Sequence, residues 1–238
     1  MHREPLVMIP GTLCDERIFA LQAKYLRKKF DVILVNYKEL RSIQDWPTKL
    51  LDQLPTKFSL AGFSLGGIWA LELLRLAPKR VNRLVLIASN AEAANKLIKK
   101  RSGEFWRSWK TDGPHAVLRI AAKNYFHYKY KLIKNSPLLA DMALKTKRIS
   151  AKKNFEWAAT RTSSDAVIAS FDKPILLISG SHDRLCPSKL QKNIIQIKPS
   201  AEWIEFPRCG HFIPLEKPKQ LSHSLNQWMS MPTSIVEK

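Results

Sequence analysis

Short apolar runs alternate with amphipathic stretches over the first part of this chain. Leu6-Val7-Met8-Ile9 stops at Pro10-Gly11, Val32-Ile33-Leu34-Val35 follows, Phe58–Phe63 leads into Ser64, and Leu84–Ala88 comes after Pro78. Unbroken apolar runs this short predict strands buried on both faces of a sheet. Between the first two, Ile18, Leu21, Tyr25 and Leu26 recur at helical spacing from about Asp15. Asp45 ahead of Trp46-Pro47 predicts an N-cap with proline in the first turn, leading into Leu50, Leu51 and Leu54. Leu65–Leu76 predicts an apolar helix directly behind the third strand. Strand and helix in this alternation predict crossover units and a parallel sheet.

The alternation stops at residues 90–170, where helix-like stretches such as Ala116–Tyr128 and Leu138–Ile149 dominate. It resumes with a strand at Pro174–Ser179 and a helix opened by Pro187 and carrying Leu190, Ile194 and Ile197. A last strand at Glu202–Phe206 and an amphipathic helix on Leu221, Leu225, Trp228 and Met229 close the chain. The fold class is therefore α/β. Residues 1–89 and 171–238 form the core, and 90–170 an inserted helical cap, or lid.

Candidate chemistry sits at one of the predicted strand-to-helix junctions. Gly62-Phe63-Ser64-Leu65-Gly66 is a complete G-x-S-x-G pattern there. A serine nucleophile needs such a sharp turn to lift its hydroxyl clear of the sheet, and flanking side chains would collide unless they are glycine. The helix behind points its N-terminus at the reacting centre, so the Leu65 N–H is placed to bind an oxyanion. A serine hydroxyl is a poor nucleophile without a base held by a carboxylate. Asp183, in the loop after the Pro174–Ser179 strand, supplies the carboxylate, and His211, in the loop after the last strand, supplies the base. Both loops leave the carboxyl edge of the sheet, where open α/β sheets gather their ligands. His182, His223, His115 and His127 are weaker candidates for the base; Asp172 precedes its strand, and Glu92 is the nearest alternative acid. The second oxyanion donor is expected in Pro10-Gly11-Thr12-Leu13-Cys14, from the N–H of Thr12, with Leu13 competing.

The segments GFSLGG, GSHDRLCP and CGHFIPLEKP, in that order, resemble the α/β-hydrolase superfamily over essentially the whole chain. The resemblance implies a Ser64–Asp183–His211 triad and a lid at residues 90–170. It departs from the usual pattern in two places. Pro10-Gly11 stands where His-Gly is usual, and the sheet, mostly parallel, lacks the two strands that usually come first. Within the superfamily, the short chain and the size of its cap are similar to the carboxylesterases that cleave pimeloyl-acyl carrier protein methyl ester in biotin synthesis. A carboxyl-ester hydrolase working through an acyl-enzyme is then the expected activity. A lactone, thioester or C–C bond hydrolase of the same fold is the alternative, as is a non-catalytic anion-binding module. Serine at position 64 disfavours the aspartate-nucleophile dehalogenases and epoxide hydrolases.

Charge adds a question about partners. The chain carries 40 Lys+Arg against 20 Asp+Glu, a formal charge of +20. Residues 90–170 hold 17 Lys and Arg and 6 Asp and Glu, with the densest run at Lys145, Lys147, Arg148, Lys152 and Lys153. A basic lid beside the pocket entrance suits an acidic carrier protein delivering an acyl ester, and it equally suits a solvated helix face. The substrate is expected to be a small-molecule or carrier-bound acyl ester, and no nucleic acid is expected. Cys14, Cys186 and Cys209 are too few and scattered for a disulfide framework and fit no metal spacing. They read as free thiols around the site, one of them a candidate for alkylation. No cofactor or metal is expected. The N-terminal apolar stretch is too short for a signal peptide and no run reaches membrane-spanning length, so a cytoplasmic location is expected.

Overall fold

The computed structural model describes residues 3–113, 115–116 and 125–232. Among the described residues six strands form one sheet: β1 (Pro5–Ile9), β2 (Asp31–Leu34), β3 (Phe58–Phe63), β4 (Val81–Ile87), β5 (Ile175–Gly180) and β6 (Glu202–Phe206). Their spatial order is β2-β1-β3-β4-β5-β6. Every pairing is parallel, with Leu6 opposite Ser59 and Val85 opposite Leu176 among the registered pairs. The absence of alternation in the apolar runs has a direct cause. Successive residues point to opposite faces, and both faces are buried. Leu6, Met8, Ala61, Phe63, Val85, Ile87, Leu176 and Ile178 pack on one side. Val7, Ile9, Phe58, Leu60, Leu84, Leu86, Ile175 and Leu177 pack on the other.

Helices cover the two faces separately. On the first lie α1 (Ala20–Leu26) and the C-terminal α10 (Pro218–Met229), whose Leu221, Leu225, Trp228 and Met229 are all buried as expected. On the second lie α2 (Asp45–Gln53), α3 (Leu65–Leu76) and α8 (Lys189–Ile197). Between β4 and β5 the described helices are α4 (Lys96–Asp112), α5 (Lys129–Lys145), α6 (Arg148–Thr160) and α7 (Asp165–Ser170); the short α9 (Ile213–Glu216) precedes α10. Trp157 of α6 stacks on Trp69 of α3 at 4.5 Å between ring centroids, and Trp69 also meets Trp46 at 4.8 Å. That run of rings fastens α6 to the sheet-covering layer, each pair adding about 1 kcal/mol beyond its buried area. Among the described residues no helix is long and apolar enough to cross a membrane.

Several local expectations need correction. The face of the first helical segment is not Ile18, Leu21, Tyr25 and Leu26: Leu21 is 58% exposed and Tyr25 40%. A 3₁₀ turn at Glu16–Phe19 precedes α1 and shifts the helical phase, so Ile18, Phe19, Gln22, Ala23 and Leu26 turn inward. Val32–Val35 packs against both layers, but less completely than the inner strands: Val32 and Val35 are buried, and Ile33 and Leu34 only partly, on an edge strand. Asp45 is the first helical residue rather than the cap; its N–H is taken by the Ser42 hydroxyl at 3.2 Å. Leu138–Ile149 is not one helix. Extended backbone at Thr146 and Lys147 separates α5 from α6, and the Thr146 hydroxyl bonds back to the Met142 carbonyl at 2.9 Å. Of the expected helix Ala116–Tyr128, residues 117–124 lie outside the described residues, and Tyr125–Tyr128 is not helical.

Candidate active site

Ser64 occupies the single residue between β3 and α3, at φ 53° and ψ −120°. A left-handed φ is strained for any residue with a Cβ and is held only by surrounding contacts. Here its N–H donates to the Ile87 carbonyl at 2.8 Å, and its carbonyl accepts from the Ser89 hydroxyl at 2.8 Å. The flanking glycines are required by space rather than dihedral. A Cβ at Gly62 would stand 2.3 Å from the Gly66 carbonyl oxygen, and one at Gly66 would stand 2.1 Å from the Ile9 carbonyl oxygen. The turn therefore packs α3 directly against the end of β1, with the Leu65 N–H in the leading turn where helices lack internal acceptors.

Asp183 follows β5 and is 4% exposed. Its Oδ1 accepts the backbone N–H groups of Leu185 at 2.8 Å and Cys186 at 2.9 Å. Its Oδ2 stands 2.7 Å from His211 Nδ1. Burial works against the charge on this carboxyl, but the His211 ring and the two N–H donors outweigh it and hold the group below its ordinary range. An ionised Asp183 accepts at both oxygens, so His211 carries its proton on Nδ1. Its Nε2 then faces Ser64 Oγ at 2.9 Å as the acceptor. Serine, imidazole and carboxylate thus form one continuous hydrogen-bonded chain across residues 147 and 28 positions apart in sequence.

The His211 loop is fixed by groups that the sequence reading did not single out. Glu216, 3% exposed, accepts the Gly210 N–H at 2.6 Å and the His127 N–H at 2.7 Å. The His211 N–H donates to the Tyr125 carbonyl at 2.8 Å. Glu216 lies six positions beyond Gly210 but nearly ninety beyond His127, so no local spacing links the loop to the Tyr125–His127 segment.

Ser64 and His211 open on a cavity of about 730 Å³, which Leu13, Ile68, Phe105, Leu139 and Phe155 line with apolar surface. Thr12 and Leu65 line it as well, so the structure brings all five expected site residues together. Thr12 sits in a turn closed by the Cys14 N–H on the Gly11 carbonyl at 3.1 Å, with Leu13 at φ 56°. Among the rivals, His182 is exposed and bonds Ser181 through Nδ1 at 2.8 Å, and His115 and His223 are exposed. Glu92 borders the cavity, but its Oε1 accepts from Asn193 at 3.1 Å. The dense basic run does not itself line the cavity. None of Lys145, Lys147, Arg148, Lys152 and Lys153 lines the cavity, and three of them pair with Asp141, Glu39 and Glu156.

The three cysteines are buried, which corrects the expectation of a readily alkylated thiol. Burial pushes all three well above the ordinary thiol range, so the reactive thiolate is disfavoured. One donor set was not visible in the spacing. Asp183, Cys186 and His211 place ligand atoms within 4.8 Å of one another. In this arrangement Asp183 and His211 are bonded to each other, and a metal ligand would require Cys186 as thiolate.

A sequence model described as alpha/beta hydrolase fold matches residues 39–218. A pimeloyl-[acyl-carrier protein] methyl ester esterase of Legionella pneumophila (strain Corby) is 41% identical over 91 residues, and the match spans 36% of this chain and only 38% of that protein. A protein of the same name from Nitrosomonas europaea is 26% identical over 198 residues, 76% of this chain and 75% of the relative. Among solved structures, a thermophilic esterase from Thermogutta terrifontis superposes with a TM-score of 0.82 at 17% identity, covering 96% of this chain and 90% of its own. The enol-lactonase from Burkholderia xenovorans LB400 gives the same score and identity over 97% and 93%. At such identities the superpositions speak for the fold alone. By the match over residues 39–218, this chain belongs to the alpha/beta hydrolase fold family.

Proposed function

We propose that this protein hydrolyses carboxyl esters through Ser64, His211 and Asp183. The observation that carries the reading is the Ser64–His211–Asp183 hydrogen-bonded chain opening on an apolar cavity. Ser64 Oγ attacks the acyl carbon while its proton passes to His211 Nε2, and the resulting imidazolium is stabilised by ionised Asp183. The oxyanion receives the N–H groups of Leu65 and Thr12. The C–O bond to the alcohol then breaks, and the alcohol leaves with the proton from Nε2. Water attacks the acyl-enzyme by the same route, giving the free acid and restoring Ser64.

For the substrate, we infer a carrier-bound ester of the pimeloyl-[acyl-carrier protein] methyl ester type, the substrate named for the relatives above. The apolar cavity walls suit an acyl chain, and residues 90–170 act as a lid, since α4, α5 and α6 each contribute lining residues. The basic excess of that segment favours an acidic carrier protein. The test is direct. Purified protein is incubated with pimeloyl-[acyl-carrier protein] methyl ester, and the release of methanol and free carboxylate is followed by mass spectrometry. Turnover that falls with added salt supports both ester and carrier. Turnover of simple esters but not of the carrier-bound one would retain the esterase and discard the carrier.

A further inference from the structure

Arg161 stands immediately after α6 and is 7% exposed. Its Nε donates to the Glu92 carbonyl at 3.0 Å and its Nη1 to the Ala158 carbonyl at 2.8 Å. Among the described residues no carboxylate lies within ion-pair distance of its guanidinium. Glu92 contributes a favourable field, but its carboxylate is turned to Asn193. Desolvation lowers the basicity of Arg161, yet a guanidinium stays charged in proteins. A cation therefore borders the same cavity as Ser64, hydrogen-bonded to carbonyls and, among the described residues, without a carboxylate in contact.

Burying a charge without an opposite charge is costly, and a fork of N–H donors matches the oxygens of a carboxylate or phosphate. Two of the five guanidinium N–H groups are taken by carbonyls, which leaves donors for a ligand. Arg101 and Arg184 border the cavity too, so its polar walls lean positive against Glu92 and Glu104. We propose that Arg161 is a specificity-determining residue that binds an anionic oxygen group, carboxylate or phosphate, on the ester whose carbonyl sits at Ser64. The inference deepens the ester-hydrolase reading and rests on it.

A purely structural role is the competing account, because the bond to the Glu92 carbonyl ties the end of α6 to the segment following β4, and the bond to Ala158 closes the last turn of α6. The test therefore reads a ratio. Methyl esters of one chain length are compared, ending in a methyl group, a carboxylate or a phosphate. Wild type, Arg161→Met and Arg161→Lys are assayed for kcat/KM. Wild type should prefer one anionic ester over the neutral one, and Arg161→Met should cut that preference by roughly 10- to 100-fold, the range of a charge-assisted hydrogen bond. Arg161→Lys should restore part of it. The carboxylate and phosphate arms tell which anion is held. Losses shared equally by all three esters, or no anionic preference in wild type, would overturn the proposal. Calorimetric titration of Ser64→Ala, with and without Arg161→Met, by the same three esters keeps the question separate from catalysis. Binding of an anionic ester that requires Arg161 upholds the site even if wild type turns over none, in which case the hydrolase reading alone fails. Equal binding in both variants rejects the site.

Discussion

Glu216 accepts the backbone N–H of Gly210 at 2.6 Å, so a buried carboxylate holds the residue next to His211 in place. The same carboxylate takes the His127 N–H at 2.7 Å and the Tyr128 N–H at 3.3 Å, which ties the loop to the non-helical segment in front of α5. One side chain thus positions the imidazole and a piece of the cavity wall together.

Removing that carboxylate is expected to cost both stability and rate. Glu216→Ala leaves buried N–H donors unpaired, at about 1–3 kcal/mol each when no water replaces the acceptor. Urea denaturation should show a loss of roughly 2–4 kcal/mol. Turnover at a temperature where the variant is folded should fall more through kcat than through KM, since the base rather than the substrate is misplaced. Unchanged stability would mean that water or another group takes over the N–H groups.

Two glycine substitutions separate space from propensity. Gly66→Ala places a Cβ 2.1 Å from a backbone oxygen, which no side-chain adjustment relieves, so the variant should be unfolded or severely destabilised. Gly103, inside α4, has open space around its Cβ position. Gly103→Ala should therefore stabilise the protein by about 1 kcal/mol through helix propensity. Thermal unfolding of the two variants checks both signs at once.

The acid limb of the rate profile should carry one proton. Asp183 is held below the ordinary carboxylate range, so the carboxylate bonded to His211 stays ionised into acid solution. Being depressed in the folded state, it stabilises the protein above the unfolded value of about 3.9, and this contribution is lost as pH falls through the folded value. Activity should thus decline by protonation of a folded enzyme, with unfolding confined to more acid solution. A rate flat from about pH 5 to 9, with chemistry limiting, contradicts a histidine base.

The parts of this structure that were legible in the sequence are those fixed by local constraints. Strands buried on both faces leave unbroken apolar runs such as Leu6–Ile9, and the turn at Ser64 admits no Cβ at Gly62 or Gly66. The choice of Asp183 and His211 as partners for Ser64 rested on their loops at strand ends and on the serine, acid, histidine order of the fold that the chain resembles. What was illegible depends on distant partners. Gln22 is buried on α1 because its amide reaches the Pro214 and Pro218 carbonyls at 3.2 and 3.3 Å, so polarity misassigned that helix face. Glu216 lies inside the CGHFIPLEKP segment, but its role there depends on the distant His127 and Tyr128 N–H groups. The basic run at 145–153 read as a single patch, yet folding sets Asp141, Glu39 and Glu156 against it.

The central claim is that Ser64, His211 and Asp183 act as one unit in ester hydrolysis. The decisive measurement is kcat for Ser64→Ala, His211→Ala and the double variant on one ester, with circular dichroism to establish folding. Each single substitution should lower kcat by roughly 10⁴- to 10⁶-fold, and the double variant should lose no more than either alone. Asp183→Asn should lose somewhat less. A double variant slower than both singles by the product of their effects, or Ser64→Ala retaining near-native kcat, would contradict the account.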